Sequence, residues 1–365
     1  MKESNKGAAQ STIGVDLGDR WSRYCVLNGD GEICQEGRVA TTAKAMEEYF
    51  AGKASSRVVI EVGMHSPWIQ RLLTKLGHEV ITSHAQSVRL IYGGTSKSDR
   101  LDAERLARLG RVDPKLLHPI RHRSDVAQAD AAVIRSRDAL VRCRTTLINH
   151  ARGLTKSVGG RLKGCSASAF PKQALAAIPK PLGPALVPIL QVIEGLTRKI
   201  RRYDQRIEAL SAKRYPHTAL LTQVSGVGPL TSLAFVLKLE DAARFKKSRS
   251  VGAFVGLQPR KRQSSDQDPE LRITKAGDQD LRRLLVSAAQ YILGPFGPDT
   301  DLRRWGLALA ARGRKNAKKR AVVAVARKLA VLLHRLWVTG EVYEPLRSQT
   351  REHTSRPSLG SAVTA

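Results

Sequence analysis

The sequence contains few aromatic residues, few thiols and few acids for its length. Aromatic residues make up 5% of the 365 residues, and the four cysteines show no C-x-x-C spacing of the kind that redox or zinc motifs use. The longest apolar stretch, residues 321–338, is interrupted by Arg and Lys, which argues against a membrane span. The first eleven residues, "MKESNKGAAQS", hold no apolar segment typical of a signal peptide. We therefore expect a cytoplasmic protein without a membrane partner, whose cysteines are core or surface residues.

Positive charge dominates what is present. The chain has 62 Lys and Arg against 32 Asp and Glu, which gives a formal net charge of +30. A field of this size indicates a polyanionic partner, of which nucleic acid is the commonest. Because 42% of the residues are hydrophobic, the chain can bury real cores, and its length predicts two or three domains.

The N-terminal third has the pattern of an α/β domain. Short alternating segments separated by turns predict an antiparallel meander, and two further apolar strands, each between helices, predict a mixed sheet with helical layers. The strand segments, in chain order, are "TIGVDLG", "SRYCVL", "EICQEGRVA", "RVVIEVG" and "HEVIT". We assign this domain to residues 12–120, after a disordered start at residues 1–11.

The middle of the chain, residues 121–214, has heptad spacing in two helical segments. Apolar residues recur every seven positions from Val126 to Leu154, and the second segment runs from Ile189 to Leu210. This spacing predicts either a helical hairpin or a dimerising coiled coil. The matching d positions of the first segment, which we expect in the seam, are Ala129, Ser136, Cys143 and His150.

Residues 215–345 are predicted to form a mostly helical, basic domain, followed by a disordered tail at 346–365. In "VSGVGPLTS", Gly226 and Gly228 would let the backbone approach a phosphate at a helix N-terminus, although a plain interhelical turn explains them as well. No acid occurs between Arg303 and Arg335, so phosphate contacts are favoured over a merely solvated face. The predicted contact residues are Arg312, Arg314, Lys315, Lys318, Lys319 and Arg320.

Four acids stand out by position. Asp16 and Glu61 each end an apolar strand, while Asp99 and Asp102 begin a helix. If these carboxylates meet at one sheet edge they repel one another unless a cation neutralises them, and hard divalent ions prefer oxygen ligands. The alternatives are a capping box at Asp99 and Asp102, local hydrogen bonds for Asp16, and an arginine partner for Glu61.

Two sets of motifs resemble one enzyme family. "GVDLG", "VIEVG" and "SKSDRLDAERLARL" are similar to the acidic blocks of the DEDD-type insertion-sequence transposases, whose N-terminal domain resembles the RuvC junction resolvase. The loop "PRKRQSSDQDPELRITKAGDQDLRRLL" resembles the family's second signature. The resemblance implies a ribonuclease-H-like mixed sheet in which Asp16, Glu61, Asp99 and Asp102 bind Mg²⁺ or Mn²⁺. It also implies that Ser264 is the nucleophile. Ser265 stands where the family usually has Gly, which leaves Ser265 as the alternative nucleophile.

The resemblance further implies a DNA transposase, or site-specific recombinase, that mobilises an insertion sequence. Its expected partners are double-stranded DNA at the element ends and target, and a structured noncoding RNA that guides both. We also expect a homo-oligomer, a dimer or tetramer, in which acids and serine come from different protomers. Two other functions remain open at this point: a RuvC-like metal-dependent junction nuclease, and a nucleic-acid-binding protein without catalysis.

Overall fold

The structure is a computed structural model that describes residues 11–84, 98–262, 271–313 and 316–347. Contacts within the chain divide it into two units, Met1–Ser124 and Asp125–Ala365. The first unit combines a sheet with helices, and the described part of the second is helical apart from an isolated bridge between Pro259 and Ile273.

A mixed sheet of five strands forms the centre of the first unit. The strand order is β3-β2-β1-β4-β5, with β2 antiparallel to β1 and β3, and β4 parallel to β1 and β5. The predicted meander and the predicted mixed α/β sheet are therefore confirmed. The strands are β1 Thr12–Asp16, β2 Trp21–Leu27, β3 Ile33–Ala40, β4 Arg57–Glu61 and β5 Glu79–Ser83. The helices are α1 Ala43–Ala51, α2 Ser66–Lys75 and α3 Asp99–Val112, followed by a 3₁₀ turn at Pro114–Leu117.

The two faces of this sheet carry different side chains because successive residues of a strand point to opposite sides. Ile13 and Val15 of β1 are buried in a core that includes Met46 of α1 and Leu73 of α2. Gly14, between them, faces α3, and a Cβ at this position would lie 2.0 Å from the backbone oxygen of Ala103. Glycine at this position thus allows α3 to pack directly on β1.

Two long helices, α4 (Asp125–Ser157) and α6 (Gly183–Arg214), pack on each other in the second unit. Polar contacts along their length run in opposite directions in the two helices, which makes the pair antiparallel. These contacts are Asp130–Arg214 at 2.7 Å, Arg137–Asp204 at 2.5 Å and Arg144–Thr197 at 3.2 Å.

Only part of the predicted seam of α4 packs within the chain: Val133, Leu147 and Leu154 pack partly against buried apolar cores. All four expected d positions, Ala129, Ser136, Cys143 and His150, are exposed. The buried stripe of α4 instead includes Ala127, Asp130, Ala131, Ile134 and Asp138. The heptad pattern of apolar residues did not predict this stripe, because two of its positions are carboxylates that pair with guanidinium groups.

The remaining helices of the second unit surround one large apolar core that contains Phe235, Leu285 and Leu329. They are α7 Thr218–Thr222, α8 Pro229–Leu239, α9 Arg249–Phe254, α10 Gln279–Leu293, α11 Asp301–Ala310 and α12 Ala317–Thr339. The short helix α5, Phe170–Leu175, is the exception and packs in a separate core with Ile148 of α4 and Leu186 of α6. In the part of the chain that the structure describes, no helix is both long enough and apolar enough to cross a membrane.

Candidate active site

Two of the predicted acids end neighbouring parallel strands. Asp16 is the last residue of β1 and Glu61 the last of β4. In the parallel register Val15 lies opposite Ile60, so the two strands finish at the same edge of the sheet. Both acidic side chains are half-buried.

Helix α3 runs antiparallel to β1 and begins above this edge. A Cβ on Gly110, near the end of α3, would lie 2.2 Å from Val59 and 3.7 Å from Thr12, which begins β1. Ala103, near the start of α3, lies against Gly14 further along β1. Asp99 and Asp102 are in the first turn of the helix, and this turn therefore lies toward the carboxyl ends of β1 and β4.

The acids also share one side of the sheet. Val59 packs in a core with Leu106 and Leu109 of α3, whereas Ile60 belongs to the core on the opposite face. By strand alternation, Glu61 points to the same side as Val59, and Asp16 to the same side as Gly14. The structure thus brings Asp16, Glu61, Asp99 and Asp102 to one side and one edge of the sheet.

The contacts of α3 do not support the capping-box alternative. The N-cap is Ser98, which makes no side-chain hydrogen bond to the first turn, and Asp99 is the first helical residue. Asp102 instead forms an ion pair with Arg105, at 3.2 Å between carboxylate and guanidinium. Favourable interaction of both acids with the helix dipole remains as a structural contribution.

The four carboxylates do not form a closed cage. Within the described ranges, no three His, Cys, Asp or Glu side chains lie close enough together to hold a metal ion. The thiol of Cys25, on β2, is buried in the packing between the sheet and α3, and this burial raises its pKa to about 11. The sheet edge therefore brings the oxygen donors to one region without converging them.

Sequence reasoning missed basic and aromatic residues at the same edge. Arg23 of β2 lies directly opposite Asp16 in the antiparallel register, and Arg38 of β3 lies opposite Arg23. Trp21 begins β2 and is 51% exposed. The alternation in "WSRYCVL" could have placed these residues on one face, but only the strand register shows that this face continues from Asp16.

The glycines of the predicted phosphate-binding turn have different surroundings. Gly226 has φ +85°, and a Cβ there would lie 3.0 Å from both the backbone oxygen of Ala288 and the ring of Tyr291 on α10. Packing against α10 therefore accounts for Gly226 without a ligand. A Cβ on Gly228, the N-cap of α8, would meet nothing within 4 Å. Gly228 lines an open depression of about 450 Å³ beside α10, so its amide environment is open to a ligand.

Ser264 and Ser265 lie outside the described residues, but the segments on either side of 263–270 are joined. An antiparallel bridge connects Pro259 with Ile273, and the Arg260 amide donates to the Arg272 carbonyl at 3.0 Å. A Cβ on Gly277, a residue of the resemblance motif, would lie 2.0 Å from the Phe254 carbonyl oxygen. Gly277, with φ +106°, thus packs closely against the end of α9, which is a structural reason for glycine at this motif position.

Two arginines at the start of the acid-free stretch have partners within the chain. Arg303 donates to the carbonyls of Ile292 and Gly294 at 2.5 and 2.6 Å, and Arg304 pairs with Asp299 at 2.5 Å. These two arginine side chains therefore stabilise the turn between α10 and α11. The predicted residues Arg314 and Lys315 fall outside the described ranges. The remaining predicted contact residues, Arg312, Lys318, Lys319 and Arg320, are exposed around the start of α12.

Two family models match the chain over the segments that contain these features. A model for DEDD transposases of the IS110 type, described as "Transposase", matches residues 13–158, which include the four acids. A second, described as "Transposase IS116/IS110/IS902 family", matches residues 218–300, which include Ser264 and both turn glycines. The chain belongs to the DEDD-type insertion-sequence transposases.

Curated relatives align with this transposase over most of its length. A "Probable family 20 transposase" of Pseudomonas aeruginosa is 29% identical over 92% of the chain and 99% of the relative. The "Transposase for insertion sequence element IS1111A" of Coxiella burnetii is 28% identical over 91% of the chain and 90% of the relative. The "Transposase for insertion sequence element IS1328" of Yersinia enterocolitica is 27% identical over 77% of the chain and 83% of the relative.

Proposed function

We propose that this transposase cuts and transfers DNA strands at the ends of an insertion sequence, with Asp16, Glu61, Asp99 and Asp102 as its metal-binding acids. The observation that carries the proposal is the placement of these four carboxylates on one side and one edge of a single sheet. They come from two strands and a helix that are separated in sequence, which no single capping or pairing role explains.

The donor set fits a divalent cation. DEDD transposases generally use a divalent metal, and carboxylate oxygens are the ligands that Mg²⁺ and Mn²⁺ prefer. Arg23 lies opposite Asp16 in the strand register and Arg105 pairs with Asp102. The positive charge of these arginines reduces the repulsion among the four carboxylates. A bound ion would supply charge neutralisation at the scissile phosphate.

Ser264 is the proposed nucleophile. In this scheme its Oγ forms a bond to phosphorus, the bond from phosphorus to the leaving strand's oxygen breaks, and that oxygen takes up a proton. A serine hydroxyl is a weak nucleophile at neutral pH and needs activation by position, base or metal. The resemblance of the surrounding loop to the family's second signature supports this assignment.

The partners follow from charge and from the family. Double-stranded DNA at element ends and target is the proposed substrate, and exposed cations at Arg312, Lys318 and Lys319 provide contacts to its phosphates. Guidance by a structured noncoding RNA and assembly into a homo-oligomer are part of the same proposal. The exposed d positions of α4 leave a helical face available for such an assembly.

Strand cleavage by acid variants tests the proposal. Asp99→Asn and Asp102→Asn keep the helical geometry but remove metal-binding charge, so cleavage of labelled element-end DNA, with its RNA present, should be lost while DNA binding and Tm stay near wild type. Glu104→Gln is the matched control, since Glu104 lies on the same helix and pairs with Arg108 at 2.8 Å. Asp102→Asn protein that cleaves as well as Glu104→Gln protein would overturn the proposal.

A further inference from the structure

A row of charged residues crosses three strands beside the acidic edge. Asp16 of β1, Arg23 of β2 and Arg38 of β3 are register partners in the two antiparallel ladders. Cys25, two residues after Arg23, packs beneath α3, so Arg23 points to the α3 side of the sheet as Asp16 does. A carboxylate and two guanidiniums therefore follow one another on the same surface.

Trp21 lies beside this row, on the middle one of the three strands. It is two residues before Arg23 on the same strand, and hence on the same side of the sheet. Strand spacing places its backbone about 8 Å from that of Asp16. The guanidinium carbon of Arg38 lies 4.6 Å from the Trp21 ring centroid, in a cation–π contact.

The Trp21 ring is not part of a core. It belongs to none of the buried apolar clusters in the described chain, and 51% of the residue is exposed. Arg23 is exposed on the same side of the sheet. An exposed indole with one guanidinium over its ring, and a second arginine two residues along the same strand face, is suited to a planar base whose strand carries phosphate charge.

We propose that Trp21 and Arg38 form a stacking platform for an unpaired nucleobase, and that Arg23 contacts a phosphate of the same nucleic-acid strand. Every base has a π face, and stacking on an aromatic side chain is independent of base identity. A base inside a duplex is already stacked and cannot use the platform. The path of the strand rests on the proposed function, in which the strand would run from the platform to the acidic edge of the sheet.

The proposal makes tryptophan fluorescence a direct reporter. Full-length protein in EDTA is titrated with single-stranded oligothymidylate of roughly 12 nucleotides, a length within the usual site size of such surfaces. Stacking should quench wild-type fluorescence. Trp21→Phe should bind with similar affinity but lose most of the quenching, because the other tryptophans, Trp68, Trp305 and Trp337, pack against the buried apolar cores.

Affinity variants complete the test. Trp21→Ala should weaken binding to the single strand by about fivefold to a hundredfold, while a duplex of equal length is little affected. Phe296→Ala is the matched control, because Phe296 is also an exposed aromatic residue, at 84%, and lies on the loop after α10. Quenching that persists in Trp21→Phe, or equal affinity of Trp21→Ala and Phe296→Ala, would overturn the platform.

Two further results can be read separately: whether the bound strand is DNA or RNA, and whether the proposed catalytic function is correct. Oligouridylate run in parallel identifies RNA as the strand if it responds more strongly, and DNA if oligothymidylate does; either response supports stacking. Because quenching is measured without metal, it does not depend on cleavage. If the Asp102→Asn variant still cleaves DNA, the proposed catalytic function is wrong, but the fluorescence result still shows whether a base stacks on Trp21.

Discussion

Individual residues show what local sequence can and cannot predict. Asp16 and Glu61 were predictable as edge residues because each follows an apolar strand, which is a local pattern. The close packing of Gly226 was not predictable, since its neighbour is Ala288 of α10, a residue far away in sequence. Arg23 was missed for the same reason: its relation to Asp16 exists only in the strand register.

The nucleophile is the sharpest prediction at the scale of one residue. Ser264→Ala should bind DNA and RNA like the wild type but form no covalent protein–DNA adduct, because it lacks the attacking oxygen. Ser265→Ala is the matched control and should keep substantial activity. Denaturing gels of protein incubated with labelled DNA and its RNA separate the adduct from free strands.

Two other outcomes of this assay would change the assignment. An adduct that survives Ser264→Ala and disappears with Ser265→Ala would move the nucleophile by one residue. Strand cleavage by Ser264→Ala without any adduct would favour the metal-dependent junction nuclease, in which water replaces the serine.

At the scale of elements, strands and short helices were easier to predict than the pairing of long helices. Alternation and turn residues located all the strands of the mixed sheet. Helix α4 was predicted as a helix, but its buried face was not, because Asp130 pairs with Arg214 and Asp138 with Arg283. The partner of a buried charge lies on another element, and the sequence of one helix does not reveal it.

We predict that the exposed lysines at the start of α12 bind phosphate groups. Lys318→Gln combined with Lys319→Gln should weaken binding to every nucleic acid and reduce the salt slope of log K by up to about two, since each lost phosphate contact removes roughly 0.9. The control is Arg304→Gln, whose guanidinium already pairs with Asp299. Binding isotherms at several salt concentrations give the slopes. If the double variant matches Arg304→Gln, the segment is only a solvated face.

The proposed metal-binding acids and the basic segment belong to different structural units of the chain. The described acids of the proposed metal site belong to the unit Met1–Ser124, and the serine motif and the basic α12 segment belong to Asp125–Ala365. The predicted end of the first domain at residue 120 lies close to this division, while the finer split of the second unit at residue 214 stays a prediction. The net charge of +30 already indicated nucleic acid, but not which surface would bind it.

The central claim is that four carboxylates at one sheet edge bind a divalent metal, and direct binding of Mn²⁺ tests it without requiring activity. Calorimetric titration of the full chain should show Mn²⁺ binding that Asp16→Asn and Asp102→Asn each weaken by at least about tenfold, while Glu104→Gln leaves it unchanged. Without metal, Asp102→Asn should melt slightly earlier than wild type, because it loses the Arg105 ion pair and its favourable interaction with the helix dipole. Equal Mn²⁺ affinity in wild type, both Asn variants and Glu104→Gln would contradict the claim.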